Sequence, residues 1–306
     1  MDIAVSTQHL TKVYKNKAVV RDADIQVNRG QVYGLVGRNG AGKTTILRML
    51  CGCALPDQGT ISLFGAVEEK GLLMERRRIG SVLESPSFYP YFTAKQNLEY
   101  YRTIRGIPED QSAEEALAIV GLTNTGNKKF KNFSMGMKQK LGLALAIMGN
   151  PDLLILDEPT NGLDPMGIVE FRQIVARLNQ EKGITMIISS HILGELSQIA
   201  THYGFIENGR IIEEVSAEEI HQRCRKSIAF TVDDGAKAAA VLEQSLSIQD
   251  YEVLNGNQLR VYQSIDTPHL ITRALVNADI AVMSVVPQES NLENYYVELV
   301  GGGKDA

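Results

Sequence analysis

Short apolar runs alternate with stretches of helical spacing through the first two thirds of the chain. Ile25-Gln26-Val27 closes on the turn Asn28-Arg29-Gly30, and Gln31-Val32-Tyr33-Gly34-Leu35-Val36 is the next apolar run. Residues 3–35 therefore read as short strands joined by turns. That last run enters a glycine-rich loop, after which Thr44 to Cys51 has helical character. From about Ala94 to Gly149 helix dominates. Residues 95–105 and 112–120 are candidate helices, and a longer one starts after Ser134, with Leu141, Leu145 and Met148 near helical spacing. Leu153-Leu154-Ile155-Leu156 and Thr185-Met186-Ile187-Ile188 are uniformly apolar, as strands covered on both faces are. Helices are predicted over 166–182 and from about Ile192. This alternation predicts an α/β fold on a mostly parallel sheet.

Near Arg223 to Ser227 the pattern changes. Strand 228–233, helix 235–246, strands 251–255 and 258–263, helix 267–278 and strand 280–286 follow one another, then a final helix over 290–299. The first six follow the βαββαβ order of a ferredoxin-like unit. A domain of residues 1–222, with a helical subdomain at about 85–148, and a smaller α+β domain of residues 223–306 are expected. The glycine tail Gly301-Gly302-Gly303 is expected to fray.

Composition adds little to the picture: 44% hydrophobic and 22% charged residues are ordinary for a globular protein. Against 36 acidic residues stand 31 basic ones, a formal charge of −5, so nucleic acid is not an expected partner. Cys51, Cys53 and Cys224 lack the second pair or clustered histidines of a zinc site and are expected as reduced thiols. Met1-Asp2-Ile3-Ala4 does not open a signal peptide, and no window reaches 18 uninterrupted apolar residues. A membrane role is expected to come through a partner.

The chemistry begins at Gly37-Arg38-Asn39-Gly40-Ala41-Gly42-Lys43-Thr44, which satisfies the P-loop pattern between a strand and a helix. Its glycines let backbone N–H groups converge on phosphate oxygens, with Thr45 next in line on the helix. Lys43 neutralises the β/γ-phosphates and the Thr44 hydroxyl can ligate Mg²⁺. The pattern predicts ATP or GTP binding. Leu153-Leu154-Ile155-Leu156-Asp157-Glu158 is an apolar strand ending in two acids. Asp157 can hold the Mg²⁺ shell, and Glu158 can orient or deprotonate an attacking water.

Phe133-Ser134-Met135-Gly136-Met137-Lys138-Gln139, with Ser134 placed 23 residues before Asp157, resembles the signature of ATP-binding-cassette (ABC) ATPases. Only Ser134 and Gly136 match the usual Leu-Ser-Gly-Gly-Gln. The resemblance covers about residues 3–222. It implies a P-loop NTPase cassette with ATP and Mg²⁺ as cofactors, and two cassettes sandwiching two nucleotides, so that Ser134 and Gly136 of one face the P-loop of the other. It also implies that Asp164, in Pro159-Thr160-Asn161-Gly162-Leu163-Asp164, belongs to the D-loop at the dimer interface. His191, after Ser189-Ser190, resembles the switch histidine that senses the γ-phosphate, and Tyr14 resembles the aromatic that stacks on adenine. The chain departs from the family where the Q-loop glutamine should fall, in Ser81-Val82-Leu83-Glu84-Ser85-Pro86: Glu84 stands there. A carboxylate can still ligate Mg²⁺, but it repels a γ-phosphate where glutamine would not.

The C-terminal unit and its ending Asn291-Leu292-Glu293-Asn294-Tyr295-Tyr296-Val297-Glu298-Leu299 resemble the motor subunits of bacterial bacitracin, lantibiotic and multidrug exporters. That resemblance implies a separate transmembrane permease, a place on the cytoplasmic face of a bacterial plasma membrane, and a link to antibiotic resistance. The final helix either docks a partner or closes its own domain. Phe88, Tyr89, Tyr91 and Phe92, within residues 85–105, either receive a helix of the permease or pack internally. Import, or a non-transport role on DNA or ribosomes, are the alternative readings.

Overall fold

In the computed structural model, which describes residues 2–84, 87–107, 112–254, 257–288 and 292–301, the chain opens with a long hairpin: β1 (Ile3–Tyr14) pairs antiparallel with β2 (Lys17–Asn28). The several short strands expected here are thus two long bulged ones. The register slips between Thr7 and Leu10, where His9 (φ 53°) and Asp22 (φ 51°) take left-handed conformations. The bulges absorb the breaks in apolar alternation that suggested turns.

β3 (Val32–Val36) is buried along its whole length and leads into α1 (Lys43–Leu50). β4 (Gln58–Leu63) completes a three-stranded sheet in the order β2-β1-β4. After α2 (Glu69–Glu75) and β5 (Ile79–Val82) come the helices α3 (Ala94–Arg105), α4 (Ser112–Ile119) and α5 (Met135–Ile147). β6 (Leu153–Asp157), α6 (Pro165–Lys182), β7 (Thr185–Ser190), α7 (Leu193–Leu196), β8 (His202–Glu207) and β9 (Arg210–Ser216) follow. The main sheet runs β5-β6-β7-β3-β8-β9. Its first five strands are parallel, and β9 closes the edge antiparallel. β6 and β7 are buried at every position, which is what their unbroken apolar runs require. One expectation shrinks: the helix from about Ile192 is the single turn α7. Gly194 lies within that turn, and Ser197 Oγ donates to the Gly194 carbonyl (3.0 Å), competing with the helical ladder.

The parallel strands bring their carboxyl ends to one side. There β3 delivers the glycine loop, β6 delivers Asp157 and Glu158, and β7 delivers Ser189 to His191. A core including Leu35, Ile46, Leu47, Leu50, Leu153, Ile155 and Ile187 fixes α1 against the sheet.

The chain divides into two compact units, Met1–Ala217 and Glu218–Ala306, at the start of α8 (Ala217–Arg223). The second contains β10 (Ser227–Val232), α9 (Gly235–Leu246), β11 (Tyr251–Leu254), β12 (Gln258–Val261), α10 (Pro268–Asn277), β13 (Val282–Gln288) and α11 (Leu292–Gly301). Its antiparallel sheet is ordered β11-β12-β10-β13. Ile228, Phe230, Val232, Leu242, Leu259 and Ile271 form a separate core. Of the residues singled out above, Met1, Ser85, Pro86, Asn291, Gly302 and Gly303 lie outside the described residues. Among the described residues no helix is long and apolar enough to cross a membrane.

Candidate functional site

The glycine loop is shaped by close approach. A Cβ on Gly37 would stand 2.4 Å from the Ile206 carbonyl oxygen. One on Gly42 would stand 2.9 Å from that of Val19, and Gly42 also has φ +115°. Only glycine fits such positions without strain. Arg38, Asn39 and Gly40 form the exposed crest, and Ala41 is buried behind them. Lys43 is 5% exposed, and its Nζ donates to the Gly37 carbonyl oxygen at 2.6 Å, curling the loop around the ammonium. The α1 helix starts there, so its free N–H groups and the ammonium face the same space.

Thr44, Asp157, Glu158, Ser189 and His191 converge beside it. Thr44 Oγ1 donates to Asp157 Oδ2 (2.7 Å), and Ser189 Oγ donates to Asp157 Oδ1 (2.6 Å). The same Ser189 oxygen accepts the Glu158 backbone N–H (2.9 Å). Glu158 takes φ 46°, which turns the chain out of the strand and aims its carboxylate back at the loop. Its Oε1 lies 3.0 Å from Lys43 Nζ, and its Oε2 lies 2.8 Å from His191 Nδ1. Oε1 is buried with no hydrogen-bond partner, so the Lys43 contact is ionic without hydrogen-bond geometry. Hydroxyl and carboxylate oxygens crowded beside one ammonium are the hard donor set that suits Mg²⁺ next to phosphate. Thr45 follows on α1, half-buried.

Tyr14 ends β1, is 43% exposed and has Lys12 Nζ 5.3 Å from its ring centroid. The hairpin that carries it touches the glycine loop through Val19.

Ser134, Gly136 and Asp164 meet elsewhere. Ser134 caps α5, accepting the Met137 N–H (3.3 Å), and Asp164 caps α6, accepting the Gly167 N–H (2.8 Å). Both line one cavity of about 390 Å³ with Gly136, Met137, Gly162 and Met166. None of Lys43, Thr44, Asp157 or Glu158 lines it. Within the chain the two groups of residues are thus separate.

Glu84, the acid expected near the metal, lies two residues past the end of β5. Its carboxylate pairs with Arg48 of α1. Among the described residues no three carboxylate, imidazole or thiol groups are gathered as a metal site. The aromatic run also divides. Phe88 is 9% exposed and packs edge-on against Tyr101 and Phe130 (centroids 5.8 and 5.2 Å apart). Tyr91 stays largely exposed (69%), and Tyr89 and Phe92 partly so (41% and 37%).

The residues missed by sequence reasoning are Ser189, as the bridge between the two acids, Glu195, which accepts from Thr160 and Ser190, and Arg48. Ser189 had a signal, since it stands at the carboxyl end of an apolar strand. The other two had none.

A family model described as ABC transporter matches residues 20–161. The chain is 43% identical over 303 residues to the bacitracin transport ATP-binding protein BcrA of Bacillus licheniformis, covering 99% of each chain. Its identity to the protein of the same name from Enterococcus faecalis is 41% over 303 residues, covering 99% of this chain and 98% of that one. Among solved structures, cbiO1 from Clostridium perfringens, part of an ABC transporter complex, superposes with a TM-score of 0.66 at 26% identity. That match covers 72% of this chain and 92% of the other.

Proposed function

The chain belongs to the ABC transporter family as an ATP-binding and ATP-hydrolysing subunit, and from that premise we propose that it drives export of a peptide antibiotic or similar compound through a separate transmembrane permease. The observation that carries the catalytic part is the convergence of Lys43, Glu158 and His191 beside the Thr44–Asp157 pair. The export part rests on the bacitracin-transport relatives, which match from end to end.

The residues divide the work by charge. Lys43 and the loop N–H groups hold the phosphates, and Tyr14 offers a ring to the adenine. Thr44 and Asp157 would hold Mg²⁺, which supplies charge neutralisation at the β- and γ-phosphate oxygens. Glu158 orients the attacking water and takes its proton. His191 holds Glu158 through Oε2 and leaves Oε1 to the Lys43 ammonium. A γ-phosphate at the loop competes for that ammonium, so nucleotide binding frees the carboxylate for its role as base.

Ser134, Gly136 and Asp164 serve the second half-site. The separation of their cavity from the Lys43 cluster supports a homodimer in which each copy completes the other's site. ATP then favours the closed dimer because it touches both halves only there. The strand and helix order of the second unit, with its β11-β12-β10-β13 sheet, supports a ferredoxin-like accessory domain. The subunit's place is the cytoplasmic face of a bacterial plasma membrane.

The test uses Glu158→Gln. This variant should bind ATP, lose turnover by about 10²-fold or more, and accumulate as an ATP-bound dimer on gel filtration. Incubated with ATP and Mg²⁺ and isolated from gently solubilised native membranes, it should carry a polytopic membrane protein in near-equal amount. Recovery of a ribosomal or DNA-processing complex without a membrane protein would overturn the export reading. An active Glu158→Gln enzyme would overturn the catalytic one.

A further inference from the structure

Three carboxylates are placed at the carboxyl ends of two neighbouring strands. β5 and β6 run parallel in the register Val82↔Leu156. Glu84 follows the end of β5 by two residues and Glu158 follows the end of β6 by one. Adjacent strands lie about 4.8 Å apart, so Glu84 and Glu158 leave the sheet from neighbouring strands on the same side. Two residues past the end of β5, the Glu84 φ of +69°, a conformation that non-glycine residues rarely adopt, takes the side chain out of the strand's alternation. The carboxylate is held by the Arg48 guanidinium.

Arg48 is four residues after Thr44, so the two share a face of α1, one turn apart. From that face Thr44 holds Asp157 at the end of β6, and Arg48 holds Glu84 just past the end of β5. Four residues rise about 6 Å along the helix, shorter than the screening length of about 8 Å at physiological salt. The pair is partly exposed, so a bare Glu84 would act on phosphates bound at Thr44 chiefly at low ionic strength.

We propose that Arg48 is a positioning residue of the nucleotide site: it neutralises Glu84 and keeps that carboxylate from repelling the bound polyphosphate. This explains how an acid can occupy a position at which a charge-free side chain would cost nothing. It rests on the assignment of the Lys43–Thr44 loop as the nucleotide site.

The test is a double-mutant cycle on the full chain. ATP affinity is measured in Mg²⁺ by fluorescent-nucleotide displacement, and KM and kcat are measured alongside. Arg48→Gln should weaken ATP affinity about three- to fivefold at low ionic strength, as expected for one uncompensated, partly exposed charge. It should raise KM more than it lowers kcat. In a Glu84→Gln background the same substitution should cost less than about twofold, because the charge that needed compensation is gone. Arg48→Lys should retain most of the affinity, and about 0.5 M salt should shrink the Arg48→Gln penalty. A rescue by Glu84→Gln cannot come from a variant that fails to fold. An equal Arg48→Gln penalty in both backgrounds, or none in either, overturns the proposal. A native protein with no ATP affinity overturns the site assignment and the proposal with it.

Discussion

Ser189 holds two functional groups with one oxygen: it donates to Asp157 Oδ1 and accepts the Glu158 N–H. Both contacts are buried or half-buried, so neither is easily replaced by water. Ser189→Ala should destabilise the protein by about 1–3 kcal/mol, the cost of leaving buried polar groups unpaired. It should also lower kcat by about ten- to a hundredfold by loosening the strand end that aims Glu158. Thermal melting and steady-state ATPase assays check the two effects. Full turnover in this variant would mean that Lys43 and His191 alone hold the carboxylate. The residue also marks what sequence reading could reach. The glycine loop and the acidic pair were legible because each packs its chemistry into consecutive positions. The Ser189 bridge joins residues 32 apart across two strands, and only the sheet order reveals it. Glu84 shows the same limit: its pairing with Arg48 joins residues 36 positions apart, which no local pattern reveals.

At the scale of elements, the loop into α3 separates packing from exposure. Thr93 caps α3 in a reciprocal capping box with Gln96. Asn97, fully buried, accepts the Tyr89 N–H (2.8 Å) and donates to the Tyr89 and Thr93 carbonyl oxygens (3.2 and 3.0 Å). This anchor drives Phe88 inward and leaves Tyr89 and Phe92 side by side at 5.1 Å, with the Tyr89 hydroxyl donating to that of Tyr100. A rigid, exposed aromatic pair suits an amphipathic helix from a membrane subunit. Replacing both with Ala should abolish stimulation of ATPase by the permease, with basal turnover changing less than about twofold, since exposed side chains contribute little to stability. Equal loss of both activities would instead indicate damage to α3. In the sequence the four aromatics were indistinguishable, because loops have no period from which to read an inner face. Helices and strands do: 166–182 became α6 nearly unchanged.

At the scale of the whole molecule, two cores follow from two patterns of apolar residues. The cassette core gathers Leu35, Ile46, Leu153 and Ile187, and the second unit gathers Phe230, Leu242, Leu259 and Ile271 around its own four strands. Each set is closed within one unit, so each unit has its own reason to fold. Ligand linkage then separates them, since ATP binds in the first. Differential scanning calorimetry should resolve two transitions. ATP and Mg²⁺ at about a hundred times Kd should stabilise one of them by about 2.7 kcal/mol and leave the other in place. Phe230 is 1% exposed, and Phe230→Ala removes most of an aromatic side chain from the smaller core. It should lower the ATP-insensitive transition by about 3–5 kcal/mol of stability while the ATP-dependent shift of the other persists. A single transition, moved by both the nucleotide and Phe230→Ala, would show that the two cores unfold as one cooperative unit, and the second unit would then be part of the motor's own stability.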